Sequence, residues 1–421
     1  MSNELYIAVM FPYPSGSGLH IGHWYNYAIM DTYCRFKRAQ GYSVFQPFGY
    51  DAFGLPAENY AKQIGGEASK VTHDSIVNFR NEMSRMNTNY MDILSTTDID
   101  YQRCAQWIFL MMKEKGLVYR KMGDVNYCPS CETVLANEQV KDNCCERCGS
   151  EIKIEQQEQT YIRITDYKQR LIDGLDKIDY PEKTKSQQRH WLSSLRDWCV
   201  SRQRKWGCPL PDHETDTLDT FFDSSFYFIR YCDPFNNEFI ADKKKIRQVD
   251  LYVGGNEHAC AHLIYARFVN MFLYDIGVTP FEEPFKKVIH QGMIRYQGEK
   301  MSKSRGNVVD PKQYDPDELR MYLMFIGHYF DGGDWNDHNI QGIRRFISRM
   351  KAWLSQDGTD EIDFVPFKEK QAQLINAFKF NKCISEWMIF YNTNKAKRLT
   401  RFHANEIEGF LQLFAPNFKV Q

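Results

Sequence analysis

The first fifty residues show a change of hydrophobic period that predicts two different elements. Residues 5–10 (LYIAVM) form a continuous apolar run rich in strand-forming residues, which is typical of a buried strand. Residues 11–18 are rich in proline and glycine, which interrupt regular structure. From 25 to 40 the apolar side chains return at mixed helical spacing, with Gly41 directly after them. The pattern therefore predicts a strand, a tight loop and a helix.

A helical period also marks the C-terminal part of the chain. The apolar positions of segment 340–354 recur at helical spacing, namely Ile343, Phe346, Ile347, Met350 and Leu354. The segment 378–391 (FKFNKCISEWMIFY) predicts a further helix. The stretch 367–421 has nine Lys and Arg residues against four Glu residues, a net charge of +5. Such a stretch either contacts phosphate groups or forms a solvated helix surface.

The composition favours a protein that is neither secreted nor embedded in a membrane. The chain has 421 residues, of which 43% are hydrophobic, enough for two or three domains with a substantial core. It contains no apolar run of about 18 residues and no signal-peptide pattern. The formal net charge is −1, so a broadly basic surface is not expected. We therefore predict a soluble cytoplasmic protein without a membrane partner.

Four of the twelve cysteines have the spacing of a metal site. Cys128 and Cys131 form one pair and Cys145 and Cys148 another, each with two intervening residues, as in a structural Cys₄ zinc ribbon. Cys144 is an alternative ligand but lacks the two-residue gap. A cluster of reduced thiols without metal is the other interpretation. A catalytic zinc is not expected, because four thiolates leave no open position.

Two segments carry side chains suited to phosphate. The first, FPYPSGSGLHIGH at 11–23, brings His20 and His23 near a helix N-terminus, where amide groups and the helix dipole favour anions. The second, GEKMSKSRGN at 298–307, places Lys300 and Lys303 in a loop of small residues, suited to a pyrophosphate leaving group. Together they predict a site that holds ATP from two sides and activates a carboxylate.

These segments resemble the HIGH and KMSKS motifs of class I aminoacyl-tRNA synthetases. Further segments narrow the resemblance to the leucyl-tRNA synthetases: QPFGYDAFGLPAE (46–58), CPSCETVLANEQV (128–140), DWCVSRQRKWG (197–207), DTFFDSSFYFIRY (219–231), YVGGNEHACAHLIYARF (252–268) and DWND (334–337). The resemblance runs from about residue 5 to about residue 390.

The resemblance implies substrates and a role for each matching position. The leucine ammonium would be held by Asp51. The rest of the amino-acid pocket would be formed by Met10, Phe11, Tyr13, Phe221, Ser224, Tyr227, Tyr252, His258 and His262. ATP, accompanied by Mg²⁺, would contact His20, Gly22, His23, Gly254, Gly255, Glu257, Met293, Ile294, Lys300, Ser302 and Lys303. At the aromatic positions an ordinary core would show the same sequence.

The implied fold is α/β, with a Rossmann-type parallel sheet split by a small zinc-ribbon insertion and followed by a truncated α-helical bundle. The implied segments are the first half of the catalytic domain (1–117), the zinc-bearing insertion (118–183), the second half with the KMSKS loop (184–330) and the bundle (331–421). In this family an editing domain follows a segment like QQRHWL (187–192). Here the chain runs through 193–194 directly into DWCVSRQRKWG, so we expect a reduced form without editing, and a monomer.

Three functions are consistent with these motifs. The first is activation of leucine and its transfer to tRNA(Leu) by a minimal ligase. The second is a tRNA-independent ligase that passes the amino acid to a carrier protein or a small acceptor. The third is a non-catalytic sensor, which has no need of both histidines and both lysines. Beside the pocket, Asn256, Cys260 and Ala261 depart from the family pattern, so another branched amino acid is also compatible.

Overall fold

The computed structural model describes residues 3–14, 18–135, 139–213, 215–301 and 307–420. Its strands are β1 (Glu4–Val9), β2 (Ser43–Phe45), β3 (Pro47–Tyr50), β4 (Met91–Ser95), β5 (Val118–Cys128), β6 (Thr133–Leu135), β7 (Val140–Lys141), β8 (Cys144–Cys145), β9 (Lys153–Ile162), β10 (Trp198–Cys199), β11 (Ser201–Arg202), β12 (Thr217–Leu218), β13 (Leu251–Val253), β14 (Val288–Ile289), β15 (Met293–Tyr296), β16 (Glu299–Lys300) and β17 (Gly332–Trp335). Its helices are α1 (Ile21–Ala39), α2 (Leu55–Ile64), α3 (Ala68–Arg85), α4 (Ile99–Glu114), α5 (Lys168–Gly174), α6 (Glu182–Ser193), α7 (Thr220–Asp223), α8 (Tyr227–Arg230), α9 (His262–Asp275), α10 (Pro316–Phe325), α11 (Asp337–Leu354), α12 (Val365–Asn376), α13 (Phe380–Asn394) and α14 (Arg401–Leu411).

A parallel sheet forms the centre of the molecule. Its strand order is β14-β13-β1-β2, and each neighbouring pair is parallel. A second parallel pair is formed by β3 and β4. The first strand and first helix lie where the hydrophobic pattern predicts them, although α1 begins four residues earlier than the predicted helix, at Ile21.

Both faces of the sheet are buried. In β1, Ile7 and Val9 pack in one core with α1, α10 and the C-terminal helices. The alternate residues Tyr6 and Ala8 pack in a second core with α4 and α9. Because side chains of a strand alternate between faces, a strand covered on both sides must be apolar at every position. This accounts for the continuous apolar run of β1.

The C-terminal helices pack against α1 and α10. All five apolar positions predicted for the segment 340–354 are buried in α11. A buried ion pair reinforces the packing, since Arg320 Nη2 lies 2.9 Å from Asp31 Oδ2 and both side chains are fully buried. Arg320 also donates to the carbonyl oxygens of Met86 and Phe414. One guanidinium therefore joins α1, the end of α3 and the C-terminal helices.

The insertion is a long antiparallel ribbon. Residues of β5 pair with residues of β9 from Val118–Ile162 to Tyr127–Lys153, and the cysteine pairs lie at the far end. After the ribbon, Leu171 of α5 and Leu192 of α6 pack in the same core as α4 and α9. The domain boundaries stay a prediction. Among the described residues, no helix has the length and apolarity that crossing a bilayer requires.

Candidate active site

Four chain segments meet at the carboxyl edge of the parallel strands. Met10 follows β1, Asp51 follows β3, Gly254 follows β13 and His290 follows β14. The backbone N–H of Met10 donates to the Val253 carbonyl oxygen at 2.8 Å, and that of Asp51 donates to the Pro12 carbonyl oxygen at 2.9 Å. Ligands of open α/β sheets bind at this edge. The segments therefore form one candidate cleft.

His20 and His23 cap the N-terminus of α1, and each ring accepts a hydrogen bond from the backbone of the other residue. Nδ1 of His20 accepts from the backbone N–H of Gly22 at 3.0 Å and of His23 at 3.3 Å. Nδ1 of His23 accepts from the His20 N–H at 3.3 Å, and the two rings stack at 3.8 Å. A neutral imidazole that accepts at Nδ1 carries its proton at Nε2. Each ring is therefore a donor through Nε2.

Burial and spacing support this arrangement. Burial, with a contribution from His20, lowers the pKa of His23 well below its usual value, so the ring is neutral at physiological pH. A Cβ at position 22 would lie only 2.9 Å from His20 Cε1, so Gly22 allows the ring to fold back onto the helix end.

Asp51 is a buried carboxylate with one neutral partner. Its side chain accepts from Thr220 Oγ1 at 3.1 Å, and the residue is 1% exposed. No basic group among the described residues lies within ion-pair distance of it. Burial, together with the charge of Asp219, raises the pKa of Asp51 well above its usual value. A cationic ligand would supply the missing charge.

An aromatic and hydroxyl-bearing wall lies next to Asp51. The hydroxyls of Tyr227 and Tyr252 are hydrogen-bonded to each other, and the Tyr252 hydroxyl lies 2.6 Å from Nε2 of His262. Phe11 stacks on Tyr227 with 3.8 Å between ring centroids. Burial, aided by His258, lowers the pKa of His262 to about 3, so its ring is neutral. The polar atoms of this wall are largely bonded to each other.

The remaining predicted pocket residues lie close to this wall. Phe221 belongs to α7 and is buried, and Ser224 caps that helix and donates to the Phe221 carbonyl oxygen at 3.3 Å. The ring of His258 lies 6.4 Å from the ring of His262. The Tyr13 ring lies under the guanidinium of Arg147, with 5.7 Å between Cζ and the ring centroid.

Two glycines allow close packing on the other side of the cleft. A Cβ at Gly254 would lie 2.0 Å from Met10 Sδ, and a Cβ at Gly255 would lie 2.2 Å from Glu257 Oε2. The exposed Glu257 carboxylate therefore folds back over Gly255. Neither position accepts a larger residue without displacing its neighbour.

His290 holds this glycine segment, and the sequence analysis did not predict it. Its Nδ1 donates to the Gly254 carbonyl oxygen at 2.8 Å, which leaves Nε2 to accept from the Thr184 hydroxyl, also at 2.8 Å. The signal available in the sequence was a histidine directly after a short apolar run at the end of a strand.

The lysine segment begins in a hairpin. β15 pairs with β16, and both turn residues have positive φ, 53° at Gln297 and 77° at Gly298, as tight hairpin turns require. Lys300 is exposed at the end of β16, and its carbonyl oxygen accepts from Asn307 Nδ2 at 3.3 Å. Met293 is exposed and Ile294 is buried in β15. Ser302 and Lys303 lie outside the described residues.

The four predicted cysteines come together at the end of the ribbon. The sulfur atoms of Cys128, Cys131, Cys145 and Cys148 all lie within 4.8 Å of one another, and Cys128 Sγ lies 3.5 Å from Cys148 Sγ. Tetrahedral coordination at about 2.3 Å per Zn–S bond requires such spacing. The donor set and its geometry therefore fit zinc, with Cys145 rather than Cys144 in the cluster.

The cysteine cluster is attached to the amino-acid side of the cleft. Leu55, four residues after Asp51 in the chain, packs among the cysteines, and Asn59 Nδ2 donates to Cys131 Sγ at 3.6 Å. Arg147, which covers Tyr13, lies between Cys145 and Cys148 in the chain. The cysteine module therefore touches the residues predicted to bind the amino acid.

Comparisons with known proteins agree with this architecture. The family model of class I (M) tRNA synthetases matches residues 5–345. A leucine–tRNA ligase of Clostridium perfringens is 31% identical over 691 residues, covering 98% of this chain and 84% of that protein. The corresponding ligase of Clostridium kluyveri is 30% identical and covers 83% of this chain and 74% of its own length.

Solved structures show the same fold. The ternary complex of Agrobacterium radiobacter K84 agnB2 LeuRS with tRNA and LeuAMS has a TM-score of 0.89 at 25% identity, covering 99% of this chain and 84% of that chain. A methionyl-tRNA synthetase of Mycobacterium tuberculosis has a TM-score of 0.78 at 18% identity, covering 99% and 92%. The predicted α/β synthetase fold is thereby confirmed. The chain belongs to the class I tRNA synthetases and, within them, to the leucine–tRNA ligase family.

Proposed function

We propose that this enzyme activates leucine with ATP, releases pyrophosphate and transfers the leucyl group to tRNA. The observation that carries the proposal is the meeting, at one sheet edge, of the buried Asp51 carboxylate, the Tyr227–Tyr252–His262 wall and the capped pair His20 and His23. An ammonium, an aliphatic side chain and a phosphate each find a complementary surface there.

The amino acid is recognised by charge and by apolar area. Asp51 binds the ammonium, which replaces the solvation that burial removed. The aromatic faces of Phe11 and Tyr227 cover the branched side chain. Because the tyrosine hydroxyls bond to each other and to His262, they do not oppose an apolar ligand. The other predicted lining residues are Met10, Tyr13, Phe221, Ser224 and His258.

The chemical step needs no general base. A carboxylate oxygen of leucine attacks the α-phosphorus of ATP, the bond to the bridging oxygen breaks, and pyrophosphate leaves with its Mg²⁺. The Nε2–H groups of His20 and His23 donate to the phosphate oxygens as charge builds up. Lys300, together with Lys303, balances the charge of pyrophosphate. Positioning and charge stabilisation supply the rate of activation. In the transfer step, a terminal ribose hydroxyl of tRNA attacks the leucyl carbonyl carbon, the anhydride bond to phosphate breaks, and AMP leaves while the hydroxyl proton passes to its phosphate.

The nucleoside of ATP lies against the glycine segment. Gly22, Gly254 and Gly255 allow close approach, and the exposed Glu257 carboxylate accepts from the ribose hydroxyls. The backbone of Met293 and Ile294 faces adenine, and Ser302 completes the phosphate loop. A zinc ion held by the four cysteines would fix the two halves of their module to each other, which is a structural role.

Transfer to tRNA is supported by the relatives and by a basic groove. The similar proteins are leucine–tRNA ligases, and one solved complex contains tRNA. Between α11 and α13 a groove of about 440 Å³ is lined by His338, Arg345 and Arg349, which suits a nucleic-acid backbone. Cytoplasmic location and a monomeric state stay predictions.

The proposal includes the absence of editing. Only a few residues separate the end of α6 at Ser193 from the start of β10 at Trp198. The match to the relative extends over 691 residues, whereas this chain has 421. Both facts support a direct connection where the family carries its hydrolytic domain.

The test has two stages. Leucine-dependent exchange between ATP and pyrophosphate should be present, and isoleucine and methionine serve as matched controls. Radiolabelled leucine should then appear on a leucine-accepting tRNA transcript and be absent from a methionine-accepting transcript. Absence of exchange would overturn the proposal and favour the non-catalytic sensor. Exchange without charging would exclude tRNA as the acceptor. It would favour the ligase that passes the amino acid to another acceptor.

A further inference from the structure

The segment 254–259, which follows β13, is held at both ends by side chains from other parts of the chain. At its start, Nδ1 of His290 donates to the Gly254 carbonyl oxygen at 2.8 Å. At its end, Nε2 of Gln188 donates to the Ala259 carbonyl oxygen, also at 2.8 Å. Gly254 and Ala259 are buried, and a buried carbonyl group without a partner is unfavourable. The position of the segment therefore depends on these two side chains.

Both contacts lead to one helix, α6. The Thr184 hydroxyl donates to Nε2 of His290 at 2.8 Å, and Gln188 lies one turn later in the same helix. Both α6 side chains are fully buried, and residues four apart lie on the same face of a helix. Gln188 is fixed in turn, because its Oε1 accepts from Arg267 Nη1 at 2.9 Å. One face of α6 therefore holds the start and the end of the segment.

The two hydrogen bonds of His290 select one form of its ring. A neutral imidazole that donates through Nδ1 has a lone pair at Nε2, and the Thr184 hydroxyl donates to that lone pair. Burial lowers the pKa of His290, although the contact with Gly254 and the charge of Glu257 oppose this effect. The ring is therefore neutral at physiological pH, and Thr184 favours the tautomer that donates to Gly254.

The carboxylate of Glu257 lies over the part of the segment that His290 holds. A Cβ at Gly255 would lie 2.2 Å from Glu257 Oε2. The charge of Glu257 also acts on the His290 ring, whose pKa it raises against the larger effect of burial. Because the Glu257 side chain is exposed, the backbone beneath it determines where the carboxylate is presented. A shift at Gly254 would therefore move the carboxylate as well.

We propose that His290 is a positioning residue for ATP, which holds the Gly254 carbonyl oxygen and thereby places the Glu257 carboxylate against the ribose hydroxyls. The inference rests on the proposed function, in which Glu257 accepts from those hydroxyls. His290 acts through the backbone and is assigned no contact with the nucleotide. Thr184 orients its ring, and Gln188 fixes the far end of the same segment.

The first test removes the two contacts of the ring separately. In His290→Asn the amide nitrogen is bonded to Cγ, as Nδ1 is, so the contact with Gly254 is kept. In His290→Gln the amide reaches the position of Nε2, so only the contact with Thr184 is kept. His290→Gln and His290→Ala should raise the KM for ATP about tenfold in the exchange assay, because a buried carbonyl group loses its partner. His290→Asn should restore most of this loss.

The KM for leucine should stay nearly constant in the same variants. His258, the leucine residue of this segment, lies beside the end that Gln188 still holds. Thr184→Val should raise the KM for ATP by a smaller factor, because the ring is then free to adopt either tautomer. The matched control is His73→Ala, which removes an exposed histidine of α3. Thermal midpoints identify any variant that fails to fold, and the comparison of His290→Asn with His290→Gln does not require His290→Ala.

The second test asks whether the ribose is the part of ATP that is misplaced. The unaltered enzyme should prefer ATP to 2′-deoxy-ATP or 3′-deoxy-ATP by about tenfold in kcat/KM, the value of a hydrogen bond to a charged group. His290→Gln should lose most of this preference, and His290→Asn should keep it. A purely structural role of His290 would leave the preference unchanged, because it would affect ATP and its deoxy analogues equally.

Each other outcome overturns the inference. An unchanged KM for ATP in His290→Gln would show that the contact with Gly254 does not position the nucleotide. Equal rises in the KM values for ATP and leucine would show that His290 supports the whole cleft. Rescue by glutamine and not by asparagine would assign the effect to Thr184. Absence of exchange in the unaltered enzyme would instead be a failure of the proposed function. Titration of tryptophan fluorescence with ATP and 2′-deoxy-ATP would then still test His290 by binding alone.

Discussion

The two sides of the candidate cleft are built in opposite ways. On the amino-acid side, Asp51, Tyr252 and His262 are buried and bonded to neighbouring side chains. On the phosphate side, His20 and Lys300 are exposed. An aliphatic side chain gains from a dry pocket, whereas a triphosphate with its metal ion would lose too much hydration there. Under the proposed function, the amino acid is therefore selected inside the folded core, and the triphosphate is bound at its surface.

One tyrosine joins the two sides. The His23 ring lies 5.7 Å from the Tyr27 ring in a stacked arrangement, and the Tyr27 hydroxyl donates to the Met10 carbonyl oxygen at 3.4 Å. Tyr27 therefore contacts residues of both sides of the cleft.

The largest effect is expected for Asp51→Asn. Loss of a buried charge partner costs about 2–5 kcal/mol, so kcat/KM for leucine should fall by about 30-fold to 5,000-fold in the exchange assay. The control is Asp357→Asn, an exposed carboxylate. An unchanged KM for leucine would show that the ammonium binds elsewhere.

The same variant should keep or gain stability. Burial raises the pKa of Asp51, so the folded state binds more protons than the unfolded state between the ordinary and the raised pKa. Its contribution to stability is present below the ordinary pKa and is lost as pH rises to the raised one. The amide removes this cost, and the thermal midpoint at pH 8 should not fall.

Lys300→Ala should give the next largest effect. Removal of one donor to a developing anion typically costs about 10²-fold in kcat, and the KM for leucine should stay constant because Lys300 is assigned to pyrophosphate and not to the amino acid. Lys243→Ala is the matched control. A change in leucine KM without a change in kcat would reverse the proposed division between the two sides.

Measuring KM and kcat over a range of pH should distinguish the two sides of the cleft without any substitution. In the free enzyme, Asp51 must lose its proton before the ammonium binds, so the KM for leucine should fall as pH rises to the raised pKa of this carboxyl, by about tenfold per unit. The pKa of His23 is lowered, so this ring stays neutral and kcat should be level through neutral pH. In Asp51→Asn the slope of KM should disappear; a persisting slope would assign it to another group.

Removal of the proposed zinc ion should have the smallest effect and should act on one side of the cleft only. The cysteine module touches the amino-acid side through Leu55, Asn59 and Arg147. Incubation with a chelator should lower the thermal midpoint and raise the KM for leucine a few-fold, with the KM for ATP unchanged. Equal changes in both constants would mean that the module supports the whole cleft.

Local patterns predicted the elements that carry the site, but not the contacts between them. The strand–loop–helix unit around His20 and His23 and the cysteine pairs are visible in short segments, because spacing alone determines them. The contacts of His290 with Gly254 and Thr184 join residues far apart in the chain, and no local pattern encodes such a meeting. The same holds for Arg147 over Tyr13. The roles of the individual pocket residues stay predictions.

The hairpin that carries Lys300 has one further structural neighbour. β15 is hydrogen-bonded in parallel to β17 along four residue pairs, and α11 begins two residues after β17 ends. A Cβ at Gly292 would lie 1.9 Å from the Gly332 backbone nitrogen. The backbones at the start of β15 and β17 are therefore in direct contact. A tilt of the C-terminal helices would therefore also displace the hairpin that carries Lys300.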